Sequence, residues 1–356
     1  MTMSPMPHLS QPSTVRPGVR PAHGGIAILM GLAVAGCDFS ATEPAAPVAP
    51  PAPIYTPPSP KPIPQSVRQA RLRADRAERA RRLNAAASVP ASAPSNSMRS
   101  YLDGVEADLR SRGLMRTDGG GGIPFDAADL VRDFNVIALQ DEYTPENNEL
   151  VAQTRPSVLR RWEAPVSIRI EFGASVDQGA RARIRAEITD IAARLRNATG
   201  HPVALTDSAS ANFDVLIMSE DERRASAARV MSLVPGIPAT DVQAIMNLQP
   251  GNYCSVFAYS RGPSAVYDHA VAVLRAELPP LMMRSCIHEE LAQGMGLVND
   301  SPLARPSIFN DDEEFALLTP HDEMLLKMLY DPRLKPGMTP AEAAPIVQTI
   351  AAELKP

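Results

Sequence analysis

Proline most constrains how this chain can fold, because its distribution along the sequence is strongly uneven. The 356 residues include 36 prolines, and ten of these lie within residues 38–64 (DFSATEPAAPVAPPAPIYTPPSPKPIP). Proline lacks a backbone N–H and has a fixed φ, so a segment this rich in proline cannot form an ordinary helix or a central strand. A Pro/Ala-rich composition without a period favours an extended, polyproline-II-like chain. We therefore expect a disordered Pro-rich tether here.

A short apolar run precedes the tether. Residues 26–35 (IAILMGLAVA) follow Arg16 and Arg20, and the run is about half of the roughly twenty residues that a membrane-spanning helix needs. Small residues and then Cys37 come directly after it, which resembles the bacterial lipobox. The resemblance implies that residues 1–36 are a lipoprotein signal peptide and that Cys37 is lipidated. An ordinary signal peptide with a chance cysteine is the alternative.

Charge limits the partners of the chain. With 35 Lys+Arg and 40 Asp+Glu the formal net charge is −5, which argues against nucleic acid as a partner of the whole chain. Residues 65–87 are locally rich in Arg and Ala and have high helix propensity. This segment is either a solvated spacer or a basic helix that contacts anionic lipid or peptidoglycan. We assign residues 37–98 as a whole to the tether.

The folded part is expected to begin with an N-terminal helical extension, residues 99–165. Tyr101, Val105 and Leu109 follow helical spacing, and residues 126–137 predict a second helix.

Regular patterns of apolar and charged residues, which predict strands and helices, begin after this extension. Residues 166–172 (VSIRIEF) alternate apolar and charged side chains, which predicts a half-buried strand, and residues 177–199 predict a long amphipathic helix. Further strands are predicted at 202–205, 214–218, 253–259 and 269–274, with a helix at 280–295. This order predicts an α+β domain over residues 166–335, followed by a C-terminal tail with a short helix, residues 336–356.

Residues 286–300 (CIHEELAQGMGLVND) carry the side chains on which any chemistry would depend. Zincin metalloproteases place HExxH on a helix, where two His bind zinc and the Glu between them activates water. That pattern fails at His288, because the residue four positions later is Ala292. Shifted by one residue, the block resembles a degenerate form of the metzincin pattern HExxHxxGxxH.

The resemblance implies a role for each matched position. Glu290 takes the place of the catalytic Glu, and Gly296 takes that of the turn glycine. The ligand positions hold Glu289, Gln293 and Asn299. Two of these are neutral amides, which are poor zinc ligands. We therefore expect no cofactor and favour a domain without catalysis, with bound zinc as the alternative.

The downstream sequence extends this resemblance. Residues 306–309 stand where metzincins make the turn that bears a Met beneath the metal, with Phe309 in the Met place. Residues 318–331 resemble the helix that closes matrixin catalytic domains, with Thr319 as its N-cap. The implied zincin-like fold is a twisted mixed sheet with a long backing helix, a motif helix and a closing C-terminal helix. The chain also resembles a family of uncharacterised bacterial lipoproteins that share the CxxEExxQxxGLxND block.

The cysteines add a further expectation. Acylation of Cys37 would leave Cys254 and Cys286 as an even pair in an oxidising compartment. In a zincin-like fold the motif helix packs across the sheet, which could bring the two side chains within disulfide distance. Two buried, reduced cysteines are the alternative.

Three functions remain open at this stage. The first is a lipid-anchored cell-envelope protein, facing the periplasm, whose degenerate metalloprotease-like domain binds a protein or peptide. The second is an active zinc metallopeptidase with unusual ligands around Glu290, including His288. The third is a cell-wall tether that contacts peptidoglycan through residues 65–87.

Overall fold

A six-stranded mixed sheet forms the centre of the described part of the chain, which comprises residues 92–355 except 147, 148 and 311. The computed structural model gives the strands as β1 (Gln140–Glu146), β2 (Glu149–Pro156), β3 (Arg161–Trp162), β4 (Val166–Phe172), β5 (Val203–Leu205), β6 (Phe213–Met218), β7 (Cys254–Ser260) and β8 (Val266–Arg275). Strands β1 and β2 pair with each other as an antiparallel hairpin. The main sheet has the order β3-β8-β6-β4-β5, all parallel, and β7 pairs antiparallel with β8.

Helices cover both faces of this sheet. They are α1 (Ala93–Ser111), α2 (Ala127–Ile137), α3 (Gln178–Thr199), α4 (Glu220–Arg224), α5 (Ala227–Leu233), α6 (Ala239–Met246), α7 (Pro280–Gln293), α8 (Pro320–Leu329) and α9 (Pro340–Leu354). In β6, Val215 and Ile217 join the main core with α3, α7 and α8, whereas Leu216 joins a smaller core with α5 and α6. A strand buried on both faces is apolar along most of its length. The predicted α+β class is confirmed.

Helix α3 begins and ends close to the residues that the sequence predicts. The Asp177 side chain caps the first turn by accepting from the Ala180 N–H, and Gly200 ends the helix in the left-handed conformation. Ile184 and Ile188 on one side of the helix are buried in the main core. The predicted amphipathic pattern therefore fixes both the length of α3 and the side that it buries.

The first helix starts earlier than the sequence predicts. Helix α1 begins at Ala93, inside the segment assigned to the tether, and its N-cap Ser92 accepts from the Ser95 N–H. Proline is compatible with the first turn of a helix, so the proline-containing sequence at this point does not prevent it. Leu102 is buried, whereas Tyr101, one of the residues whose spacing predicted this helix, is 46 % exposed.

Two further segments differ from expectation. The helical extension, residues 99–165, also contains the β1–β2 hairpin and strand β3. Strand β1 (QDEYTPE) is polar throughout, so it lacks the alternation by which a half-buried strand is recognised. Helix α9 is a capped helix of 15 residues with Val347 and Ile350 buried in the main core, rather than a short helix in a tail.

The predicted signal peptide, Cys37 and the Arg-rich segment fall within residues 1–91, outside the described residues. Within the described part, none of the helices combines the length and the apolar character that crossing a bilayer requires.

Candidate functional site

Helix α7 carries the motif and is buried on nearly all sides. It starts with Pro280 in its first turn and ends at Gln293. Residues two positions apart on a helix point about 200° apart, whereas residues four positions apart lie on the same side, so His288 faces different neighbours from Cys286 and Glu290. The motif side chains therefore divide between two sides of α7.

His288 is buried and connects α7 to α3 and to the chain just before α8. Its Nε2 lies 2.8 Å from Glu187 Oε1 on α3, and the Leu318 backbone N–H donates to its Nδ1 at 3.1 Å. Since Nδ1 accepts, Nε2 carries the proton and donates to Glu187. Burial lowers the pKa of His288, and its hydrogen bond lowers the pKa of Glu187 to about 2. Both ring nitrogens of His288 are thus engaged, which argues against the hypothesis that it binds zinc in this conformation.

On another side of α7, Glu289, Glu290 and Gln293 line a cleft of about 980 Å³. Strand β7 forms one wall of this cleft, and α6 with the loop that follows it forms another. Strand β7 pairs with β8 on one edge, and no described strand pairs with its other edge. The cleft therefore combines the motif carboxylates with the edge of a sheet.

Three potential ligand atoms come together in this cleft. Cys254 Sγ and one carboxylate oxygen each from Glu289 and Glu290 all lie within 4.8 Å of one another. Glu290 is buried, whereas Cys254 and Glu289 are half-buried. The carboxylates were expected from the sequence pattern, but their proximity to Cys254 follows from the position of β7 and could not be read from spacing.

Cys254 and Cys286 form a disulfide, which confirms the predicted pairing. Their Cα atoms are 5.9 Å apart, and the bridge joins strand β7 to helix α7 across 32 residues of sequence. A sulfur within a disulfide is not a thiolate, and the thiolate is the form that binds metals. In this oxidised form the cluster therefore offers two carboxylates and no thiolate.

The sequence from the start of α2 to a point inside α9 matches one protein family. Residues 127–349, more than half of the chain, match the family described as "Protein of unknown function (DUF2927)". The chain belongs to this family. No curated protein matches it.

The DUF2927 domain includes every position of the motif, but it does not assemble them as a zinc site. Asn299 is 3 % exposed, its Nδ2 donates to Val136 O at 3.0 Å, and its backbone N–H donates to Ile137 O. It is not among the residues that line the cleft. Gln293 does line the cleft, but it offers a neutral amide. The three zincin-equivalent positions, Glu289 included, therefore do not fit a zinc ion.

The two predicted turn residues have structural roles in the DUF2927 domain. Gly296 has a φ of +122°, and a Cβ at this position would lie 2.4 Å from Arg160 O. Phe309 is fully buried, and its backbone bonds to Ser307 Oγ and to the Ser301 N–H. Both residues therefore fix the local backbone of the segment that follows the motif helix.

Acids predominate among the charged residues that line the cleft. Asp241, Asp300 and Glu313 line it together with Glu289 and Glu290. The Tyr259 hydroxyl donates to Asp241 at 2.9 Å. Burial is the main cause that raises the pKa of Tyr259, and the negative charge of Asp241 raises it further. The one arginine in the lining, Arg160, bonds to Asp141, another lining residue, at 2.6 Å. Within the described lining, carboxylates therefore outnumber cationic groups.

A buried arginine holds one wall of the cleft, and sequence reasoning missed it. Arg275, at the end of β8, donates to the carbonyls of Leu248, Gln249 and Asn252 in the loop between α6 and β7. Arg275 is fully buried, and Glu220 provides its counter-charge. Charge-assisted bonds to several carbonyls stabilise a loop that has no regular structure of its own. In the sequence Arg275 follows an apolar strand, which could equally mark the point where a strand reaches solvent.

Proposed function

We propose that this protein is a lipid-anchored envelope protein that binds an extended segment of a partner protein or peptide in the cleft beside α7, without cleaving it. The observation that carries the proposal is an edge of β7 that pairs with no strand of the described residues and runs along a cleft of about 980 Å³. An extended peptide can add to a sheet edge through main-chain hydrogen bonds. Strand β7 lies in the described cleft wall along nearly its whole length, Cys254 to Tyr259.

The arrangement of the helices supports a zincin-like origin for this cleft. A long helix, α3, packs against α7 and α8, and α8 begins at Pro320, directly after the predicted N-cap Thr319. This packing of helices supports the proposed metalloprotease-like origin. Asn299, however, is bonded to the main chain at the C-terminal end of α2, which favours binding over zinc-dependent hydrolysis.

Attachment to a membrane rests on the sequence alone. The ten-residue apolar run that ends before Cys37 supports lipidation of that cysteine. A diacylated or triacylated cysteine would hold the protein on the membrane stably, because each buried methylene contributes about 0.8 kcal/mol.

The proposal is tested by photo-crosslinking in the cell envelope. A photoreactive amino acid replaces Gln293 in the cleft, and the control replaces Arg185, which is exposed on α3 and does not line the cleft. We expect a discrete adduct from position 293 that is absent from position 185. Ser255→Trp, which would fill the cleft next to β7, should remove the adduct. Adducts of equal yield at both positions would contradict the proposal.

Glu290→Gln separates binding from catalysis. The substitution keeps the shape of the side chain and removes its charge and its capacity to act as a base. We expect the adduct at position 293 to persist in this variant. Peptidase activity of the purified protein that disappears in Glu290→Gln would instead support the metallopeptidase alternative.

A further inference from the structure

We propose that the disulfide blocks a metal site and that its reduction makes the site available. After reduction of Cys254–Cys286, one zinc ion binds to the two thiolates and to the carboxylates of Glu289 and Glu290. This set differs from the zincin-equivalent positions, of which it uses only Glu289. It also requires no peptide partner, so it stands independently of the proposed function.

Geometry brings four donors to one place. Cys254 Sγ and the carboxylate oxygens of Glu289 and Glu290 lie within 4.8 Å of one another, and the disulfide places Cys286 Sγ next to Cys254 Sγ. Ligand atoms about 2.0–2.3 Å from a shared zinc ion are themselves at most about 4.6 Å apart. Three of the donors therefore already lie at distances that fit a shared ion, and rotation of the Cys286 side chain after reduction would bring the fourth to it.

The secondary structure explains why these donors meet. Cys286, Glu289 and Glu290 lie at positions i, i+3 and i+4 of α7, a spacing that places side chains on neighbouring turns of one side of a helix. Strand β7 provides the fourth donor, Cys254, at its first residue. A helix and a strand that are already packed together thus form the site without rearrangement of the backbone.

Oxidation state decides whether the site can bind. In the disulfide neither sulfur carries the thiolate charge that zinc requires, and two carboxylates alone favour harder ions such as calcium or magnesium. After reduction, two thiolates and two carboxylates make a four-coordinate set of the kind that zinc prefers. The zinc charge would also offset the repulsion among these anionic groups in a half-buried site.

A dithiol can serve as the reductant in the redox step. One thiolate of the reductant attacks Cys254 Sγ, which lines the cleft, and the S–S bond breaks so that Cys286 leaves as a thiolate. The second thiol of the reductant then resolves the mixed disulfide and leaves as part of its own disulfide, so two electrons pass to the protein. Zinc binding to the two cysteines finally releases their two protons.

The test compares oxidised and reduced full-length protein. The protein is reduced with a water-soluble phosphine, transferred anaerobically to metal-free buffer and titrated with zinc against a chromophoric chelator. We expect one zinc per reduced chain and no stoichiometric zinc on the oxidised chain. Cobalt should give a thiolate-to-metal charge-transfer band in the near ultraviolet with the reduced protein only, because that band requires sulfur ligands.

Variants assign the ligands. Glu289→Gln and Glu290→Gln, which leave the disulfide intact during folding, should each weaken zinc binding to the reduced protein by about 10–100-fold. The matched control is Asp241→Asn, which removes one negative charge from the same cleft without touching the four donors and should leave zinc affinity unchanged. Equal weakening by all three would mean that the cleft only attracts cations, and the proposal would be wrong.

Folding of the reduced chain is measured in the same samples. We expect near-ultraviolet circular dichroism of the reduced, zinc-loaded protein to match that of the oxidised protein. A reduced chain that unfolds and binds no zinc would overturn the proposal, as would a folded reduced chain without stoichiometric zinc. Stoichiometric zinc on the oxidised chain would also overturn it, because the sulfurs would then not be needed.

Discussion

Gly296 shows how closely the backbone after the motif helix approaches its neighbours. Its φ of +122° is strained for any residue with a Cβ, and that atom would lie 2.4 Å from Arg160 O. We expect Gly296→Ala to reduce the free energy of unfolding by about 2–4 kcal/mol, from backbone strain and overpacking together. Chemical denaturation measures this loss.

The matched control is Gly104→Ala in helix α1. A Cβ added at Gly104 would meet no neighbouring atom within 4 Å, and the φ of this residue lies outside the strained range. Alanine has the higher helix propensity, so this substitution should stabilise the protein by up to about 1 kcal/mol. A loss at position 296 no larger than the change at position 104 would show that the close approach carries no energetic weight.

His321 forms a buried charge cluster that has a clear signature in pH dependence. The ring is fully buried, with Nε2 3.1 Å from Asp133 Oδ2 and Nδ1 3.7 Å from Asp322 Oδ1. Burial alone would lower the pKa of His321, but the two carboxylates more than compensate and raise it from 6.5 to about 9. The folded protein therefore holds this proton more tightly than the unfolded chain.

The sign of the effect follows from linkage. The contribution of His321 to stability is fully present below the unfolded pKa of 6.5 and is lost as the pH rises through the folded pKa of about 9. We expect the free energy of unfolding to fall by about 3 kcal/mol over this range. His321→Gln should abolish this slope, whereas His201→Gln should retain it. A slope that persists in His321→Gln would contradict the assignment.

At the scale of elements, the disulfide joins the edge strand β7 to the motif helix α7. The 32-residue separation predicts a loss of about 3–4 kcal/mol on reduction, from the entropy that the unfolded chain regains. Denaturation with and without reductant, in buffer containing a chelator, measures this loss in the absence of metal. The double variant Cys254→Ala/Cys286→Ala should be insensitive to reductant. Alkylation of both thiols before reduction, detected by mass spectrometry, would show that the bond is not formed.

The elements differ in how far the sequence determines them. Helix α3 was predictable because its cap, its apolar side and its terminal glycine all lie within one continuous segment. Strand β1 was not, since its polar sequence is stabilised by pairing with β2 rather than by a pattern of its own. Helix α9 was recognised but underestimated, because its core contacts come from distant parts of the chain.

The residues of the candidate site also differ in how far the sequence predicts their positions. The place of Glu290 on a buried helix followed from the motif, as did the turn at Gly296. That Asn299 bonds to the last turn of α2, and that Arg275 holds the loop before β7, depends on contacts between segments far apart in sequence. A single sequence shows an Asn or an Arg at these positions but not its partner.

At the scale of the whole molecule, two sequence features compete to explain how the protein would be held in the envelope. One is Cys37 after its apolar run, and the other is the Arg-rich segment, residues 65–87. Attachment through acyl chains depends on buried apolar area and resists salt, whereas attachment through arginine is screened at high ionic strength. The two mechanisms therefore predict different responses to the same treatments.

Cys37→Ser tests the lipid anchor. We expect the native protein to enter the membrane fraction and to incorporate labelled fatty acid. It should remain in this fraction in about 1 M salt, where charge interactions are screened beyond roughly 3 Å. Cys37→Ser should move the protein to the soluble fraction and abolish the label, because the acylated side chain is then absent. Deletion of residues 65–87 is the matched control and should leave both membrane partition and label unchanged. If Cys37→Ser stays with the envelope while the deletion releases the protein and ends its binding to isolated peptidoglycan, the anchor is the Arg-rich segment and not a lipid.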